Sequence, residues 1–250
     1  HKQNYAITAN SGTSTLHMAL DAVGVGHGDE VIVPSLTVAM CGFSIWHCGA
    51  VPVYCDIDKD TFLIDPKDIE KKITKRTKAI MVVHLYGLMC DMSPIMKIAD
   101  EHNLYVVEDS AECYLAADDN GRLAGTVGHV GSWSFENSKQ LTCGDGGIAT
   151  CREMELATRL RKIGGLGFKN LTAEAGKVRA DRDKFQDPEW ERFDTIGYNF
   201  RLGELAAAVG LAQAEQLDKY IASTQLGITM SSLALGWIGE PVIAGLLESP

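Results

Sequence analysis

Basic residues are scarce in this 250-residue chain: 23 Lys and Arg stand against 33 Asp and Glu, a net charge of −10. A surface built to hold a nucleic-acid backbone is normally basic, so nucleic acid is not the expected partner. Close cysteine pairs are lacking too. Cys41, Cys48, Cys55, Cys90, Cys113, Cys143 and Cys151 form no Cys-x-x-Cys motif, which removes the usual zinc signature, and no metal is expected. An odd number of cysteines in a long chain argues against a disulfide framework. The reading is of reduced thiols used as small apolar residues in a cytoplasmic protein. The N-terminus lacks an apolar signal-peptide core; "HKQNYAITANSGT" enters a strand almost at once and reads as a domain that is incomplete at its start. The remaining composition, 46% hydrophobic and 22% charged, is that of a soluble globular protein with room for one large domain.

Short apolar runs alternate with helical periodicity over the first 165 residues. "YAITA" (5–9), "EVIVP" (30–34), "AVPVYCDID" (50–58), "KAIMVVHLYG" (78–87) and "LYVVEDS" (104–110) read as strands. Leu16, Leu20 and Val23 share a helical face within 13–24, and further helices are expected over 36–48 and 93–103. Over 152–163, Leu156, Leu160 and Ile163 line one face and Gly164 and Gly165 end the helix. This alternation predicts an α/β fold, a mostly parallel central sheet with helices on both faces.

Thereafter the pattern changes. Thirteen of the 27 residues over 168–194 are charged with no sustained period, which reads as a long excursion, either functional or a solvated insertion. A helix follows over 201–220, with Leu202, Leu205, Val209 and Ala212 on one side. Ile221 to Gly239 holds no charged residue. It nears the length of a bilayer span, but its Ser, Thr, Gln and Gly content suits one poorly, so a membrane is not the expected partner and tethering is an alternative reading.

Three features point to one cofactor. In "NSGTSTLHMAL" a strand runs into a turn that opens a helix, where free N–H groups and the helix dipole suit an anion. Gly12 permits close approach of a phosphate, and Thr13 and Ser14 add hydroxyls; plain helix capping would explain the same residues. Asp109 closes a central strand at the edge where open α/β sheets bind ligands, although an aspartate there can simply cap a turn. Lys139 follows the strand-like "VGSWSF" (130–135) and precedes "GDGG", with Ser134 within reach of the same anion; an ordinary surface lysine is the alternative. Taken together, an anion cradle, a carboxylate for a ring nitrogen and a lysine for an aldehyde describe pyridoxal 5'-phosphate.

With "GDEVIVPSLT", "GAVPVYCDID", "VHLYG", "VVEDSAE", "GSWSFENSKQLTCGDGG" and "GYNFRLGELAAAVGLAQ" in order, residues 5–220 resemble the DegT/DnrJ/EryC1/StrS family of fold-type-I aminotransferases. The resemblance implies that Lys139 carries the cofactor covalently and acts as the catalytic residue. It implies that Asp109 meets the pyridine nitrogen and that Thr13, Ser14 and Ser134 hold the phosphate. Asn199 would reach the cofactor of a neighbouring subunit, hence a homodimer with shared sites. The implied reaction moves an amino group, usually from glutamate, to a keto carbon of a nucleotide-linked sugar for polysaccharide biosynthesis; members that dehydrate instead carry histidine at the lysine position. A non-catalytic cofactor-binding or regulatory member, or an inactive fragment, is the alternative.

Four departures from the family pattern stand out. Val38 takes the place of a stacking aromatic residue. Glu112, beside the cofactor, replaces a glutamine or histidine, where a carboxylate would repel the cofactor's phenolate oxygen. The 168–194 stretch is longer than is common. The tail 221–250 resembles a membrane segment of CorC/CNNM-type proteins, which suggests a foreign junction near residue 220 and a small C-terminal domain that is largely absent. His84 and Tyr86 lie near the expected site and read as packing residues.

Overall fold

A computed structural model describes residues 3–176, 182–217 and 219. Seven strands form one sheet: β1 (Tyr5–Ala9), β2 (Glu30–Pro34), β3 (Val51–Cys55), β4 (Thr77–Val83), β5 (Tyr105–Asp109), β6 (Val130–Ser134) and β7 (Gly147–Cys151). Their order across the sheet is β1-β7-β6-β5-β4-β2-β3. β7 runs antiparallel to β1 and β6, and every other pairing is parallel. The central strands β2 and β4 are buried almost without alternation, as a sheet covered on both faces requires. The cover is two groups of helices: α1 (Gly12–Ala22) with α2 (Ala39–His47) and α5 (Met154–Gly164), and α3 (Pro66–Lys72) with α4 (Met92–His102). The expected α/β architecture is therefore present.

Several boundaries differ from the sequence reading. The strand expected to reach residue 87 stops at Val83, because Tyr86 (φ 55°) and Gly87 (φ 84°) turn left-handed, which no strand can hold. α3 escaped detection because seven residues show little period; Pro66 at its first turn and the Asp65 carboxylate, accepting from Lys67 N–H at 2.9 Å, set its start. β7 escaped because it follows a hairpin connection rather than a helix. α4 ends as expected on Asn103, left-handed at φ 53°.

The 168–194 excursion is tied at its base. Phe168 pairs with Phe193, Lys169 N–H donates to Arg192 O at 2.9 Å, and Lys162 Nζ meets Asp194 Oδ2 at 2.5 Å. It carries the short helix α6 (Arg182–Gln186). Residues 204–217 form a further helix whose expected apolar stripe is uncovered: Leu205 is 87% and Val209 50% exposed. The tail 221–250 lies outside the described residues. Among those described, no helix is long and apolar enough to cross a membrane.

One carboxylate knits the middle of the sheet to the loop that feeds β6. Glu108 is fully buried. Its Oε1 accepts from Val127 N–H at 2.7 Å and Gly128 N–H at 2.5 Å, and its Oε2 from Gly125 N–H at 2.8 Å. His84 Nε2 lies 2.9 Å from Oε2, while His84 Nδ1 accepts from Cys90 N–H at 3.1 Å, so the imidazole proton sits on Nε2. Removing Glu108 leaves three buried N–H donors unpaired. Glu108→Ala is expected to lower the unfolding free energy by about 3–5 kcal/mol in a urea titration.

His17 gives the fold a pH dependence. It packs on Tyr198 (4.7 Å between ring centroids) and His47 (5.5 Å), and its Nε2 is buried without a partner. Burial, with repulsion from His47, lowers its pKa from 6.5 to about 4. Between those values the unfolded chain binds a proton that the folded site refuses, so stability falls as pH drops through this window. The expected loss from this residue across the whole window is about 3 kcal/mol, and His17→Leu should remove that fall from the curve of unfolding free energy against pH.

Candidate active site

The register brings Val83, Asp109 and Ser134, the carboxyl ends of β4, β5 and β6, to one edge of the sheet, where β1 hands over to α1. A cleft of about 310 Å³ opens there. Gly12, Thr13, Asp109, Glu112, Ser134 and Lys139 all line it, so six of the eight residues singled out in the sequence meet in one place. The other two do not. The Ser14 hydroxyl donates to Asn10 Oδ1 at 2.6 Å and its N–H to Ser11 Oγ at 3.1 Å, which completes the cap of α1. Asn199 is exposed and outside the cleft, with Oδ1 accepting from Arg201 Nε at 3.0 Å.

At one end of the cleft stands the start of α1. Ser14 N–H is satisfied by the Ser11 cap, but the first N–H groups of a helix have no intrahelical acceptor. Gly12 is required by close approach: a Cβ on it would sit 2.6 Å from Ser134 Cβ. Backbone N–H groups, the helix dipole and the Ser134 hydroxyl thus converge on a place for an anion.

Deeper in stands Asp109, buried at 7% exposure. Its Oδ1 accepts from Ala111 N–H at 3.0 Å and its Oδ2 from the Cys41 thiol at 3.2 Å. Burial raises the Asp109 pKa, opposed by the Ala111 N–H, the Cys41 thiol and the positive charge of Lys139. A cationic N–H placed against this carboxylate recovers the desolvation that burial costs it.

Lys139 sits on the connection between β6 and β7. Phe135 N–H donates to Gly146 O at 2.8 Å and Cys143 N–H to Phe135 O at 3.0 Å, which clamps the base of the connection. Gly144, at φ 90°, supplies the left-handed step that the turn needs. Lys139 N–H donates to Glu136 O at 3.0 Å, and Lys139 Nζ lies 3.4 Å from Glu112 Oε1. Glu112 is thereby accounted for: Oε2 accepts from Tyr86 N–H at 3.0 Å and its backbone O from Gln140 Nε2 at 2.9 Å. It is the ion-pair partner of the lysine rather than an isolated charge.

Cys41, His84, Glu136 and Asp145 also line the cleft and were not read as site residues. No sequence signal marks Cys41, since 68 residues separate it from Asp109. His84 is fully buried, as a packing residue would be, and still faces the cleft; Tyr86, expected to pack as well, is 77% exposed. Val38 lines the wall and is 53% exposed.

Residues 1–236 match the sequence model of the DegT/DnrJ/EryC1/StrS aminotransferase family. The match runs past the composition change at residue 220 and gives no support to a foreign junction there. The chain is 40% identical over 241 residues to GDP-perosamine synthase of Caulobacter vibrioides, covering 95% of this chain and 59% of that protein. It is 37% identical to GDP-perosamine synthase of Vibrio cholerae, covering 88% and 55%. Among solved structures it is similar to an aminotransferase from Psychrobacter cryohalolentis (TM-score 0.76, 36% identity, 87% of this chain and 53% of that one). It is also similar to a Bacillus subtilis protein with bound cofactor PMP (TM-score 0.71, 32% identity, 84% and 44%). The chain thus spans little more than half the length of the curated relatives it matches.

The close approach at Gly12 yields a direct check. Gly12→Ala forces a Cβ against backbone-anchored atoms of Ser134 and is expected to lower stability by about 1–3 kcal/mol in chemical denaturation. It should also abolish protection of the fold by added pyridoxal phosphate in a thermal shift.

Proposed function

The chain belongs to the DegT/DnrJ/EryC1/StrS aminotransferase family, and from that premise we propose that it is the cofactor-binding part of a pyridoxal-phosphate-dependent aminotransferase. Its reaction moves an amino group from glutamate to a keto carbon of a nucleotide-linked sugar. One observation carries the reading: Lys139, Asp109 and the N-terminus of α1 open on the same cleft. The GDP-perosamine synthases among its relatives support the sugar class.

The residues fit the cofactor. Gly12, Thr13 and Ser134 would hold its phosphate, with Ser14 ordering the turn through Asn10 and Ser11. Asp109, a buried carboxylate with a face toward the cleft, would keep the ring nitrogen protonated. When bound, pyridoxal phosphate supplies an aldehyde that carries nitrogen and a ring that accepts electrons. Lys139 Nζ would be the amine that holds the aldehyde, and as a free amine it would give and take the protons of the transfer. Glu112 holds the lysine in place, and His84, hydrogen-bonded to Glu108 through Nε2, closes one wall of the cleft. Asn199, exposed on this chain, would serve the cleft of a second copy in a homodimer.

A second reading of the substrate rests on relatives named L-glutamine:2-deoxy-scyllo-inosose aminotransferase, 36% identical over 222 residues in one case. There the named donor is L-glutamine and the named acceptor 2-deoxy-scyllo-inosose.

Borohydride reduction of the protein loaded with pyridoxal phosphate should fix the cofactor mass on the peptide containing Lys139, and Lys139→Ala should carry no label. Adding L-glutamate to the loaded protein should release pyridoxamine phosphate, read by chromatography. Labelling without that release would favour a binding or regulatory role. A mixed challenge with a GDP-linked keto sugar and 2-deoxy-scyllo-inosose separates the two substrate readings.

A further inference from the structure

We propose that Cys41 is a positioning residue for the ring-nitrogen carboxylate, its thiol holding Asp109 in the orientation that presents it to the cleft. The proposal rests on the cofactor reading above and concerns a side chain from a different element, α2. Cys41 is 1% exposed, and its Sγ donates to Asp109 Oδ2 at 3.2 Å. Thr37 Oγ1 lies 3.1 Å from the same sulfur. With the thiol proton committed to the carboxylate, the threonine hydroxyl donates to sulfur, and a relay runs Thr37–Cys41–Asp109. Ala111 N–H takes the other oxygen. The two donors come from different elements, the loop after β5 and α2, and each holds a different oxygen, so the carboxyl plane cannot rotate without breaking one of them.

A thiol suits this place. Burial and the nearby Asp109 charge push the Cys41 pKa well above its ordinary value, so the S–H persists and stays a donor rather than a competing anion. It is also a weak donor. It steers the carboxylate without consuming the acceptor strength that a pyridinium N–H would use. A thiol at this depth is inert as a nucleophile, which leaves orientation as its chemical role.

The test separates action through the ring nitrogen from simple packing. The cofactor-free 250-residue chain is titrated with pyridoxal phosphate and with its 1-deaza analogue, in which C–H replaces the ring nitrogen, and binding is followed by absorbance. The unaltered chain should prefer the nitrogen-containing molecule. Cys41→Ala should cut that preference about 3- to 10-fold, with affinity for the analogue unchanged. Cys41→Ser, which keeps a donor, should retain it. Equal weakening of both ligands by Cys41→Ala, or no effect on either, would overturn the proposal. Should Cys41→Ala fail to fold by circular dichroism, the serine variant decides: a preference kept supports the relay, and a loss as large as that of Asp109→Asn refutes it. If the unaltered chain shows no preference and Asp109→Asn changes nothing, the cofactor reading itself falls, and this inference with it.

Discussion

Two neighbouring carboxylates at the end of β5 organise this molecule. Successive side chains of a strand point to opposite faces, so Glu108 and Asp109 cannot do the same work. Glu108 turns into the protein and binds three backbone N–H groups of the loop ahead of β6, together with His84. Asp109 turns into the cleft and keeps part of its acceptor capacity unspent. The first carboxylate is satisfied and structural. The second is buried and under-compensated, the condition expected of a group that waits for a cationic ligand. Because they are adjacent on a rigid central strand, the anchoring of one fixes the position of the other.

The cleft itself is electrostatically lopsided. Asp109, Glu112, Glu136 and Asp145 line it, and Lys139 and the start of α1 offer the opposite sign. An anionic ligand is therefore tolerated at one end and repelled elsewhere. That asymmetry would suit a molecule with a phosphate on one side and a basic ring nitrogen on the other. The Glu112–Lys139 pair fits this scheme: where the resemblance leads one to expect glutamine or histidine, this chain places a carboxylate that balances the lysine and anchors the turn at Tyr86.

Much of this was legible in the residues. The βα alternation gave the parallel sheet because its apolar runs are long and cleanly separated. "NSGTS" announced the helix start, because capping chemistry is local. Asp109 could be chosen because it stands at a strand end, and Lys139 because it follows a strand and precedes a glycine cluster. Where the reading failed, the deciding contacts were distant in sequence. Strand β4 stops at Val83 through a turn whose Tyr86 N–H is held by Glu112, and β7 exists only because β1 and β6 are there to pair with it. On the 204–217 helix the expected stripe does not pack: Leu202 precedes the helix, and Leu205, Val209 and Ala212 are exposed, because periodicity does not say what covers a face.

Local chemistry, then, determined the order of elements, the capped turn that opens α1, the strand-end carboxylate and the place of the lysine, since each depends on residues within a few positions of one another. Tertiary structure alone decided that these meet in one cleft, that Glu108 faces away from it, that Ser14 spends its hydroxyl on the cap, and that Cys41 steadies Asp109. Those outcomes turn on which strands become neighbours and in what register, and pairings across tens of residues leave no periodic trace in the chain.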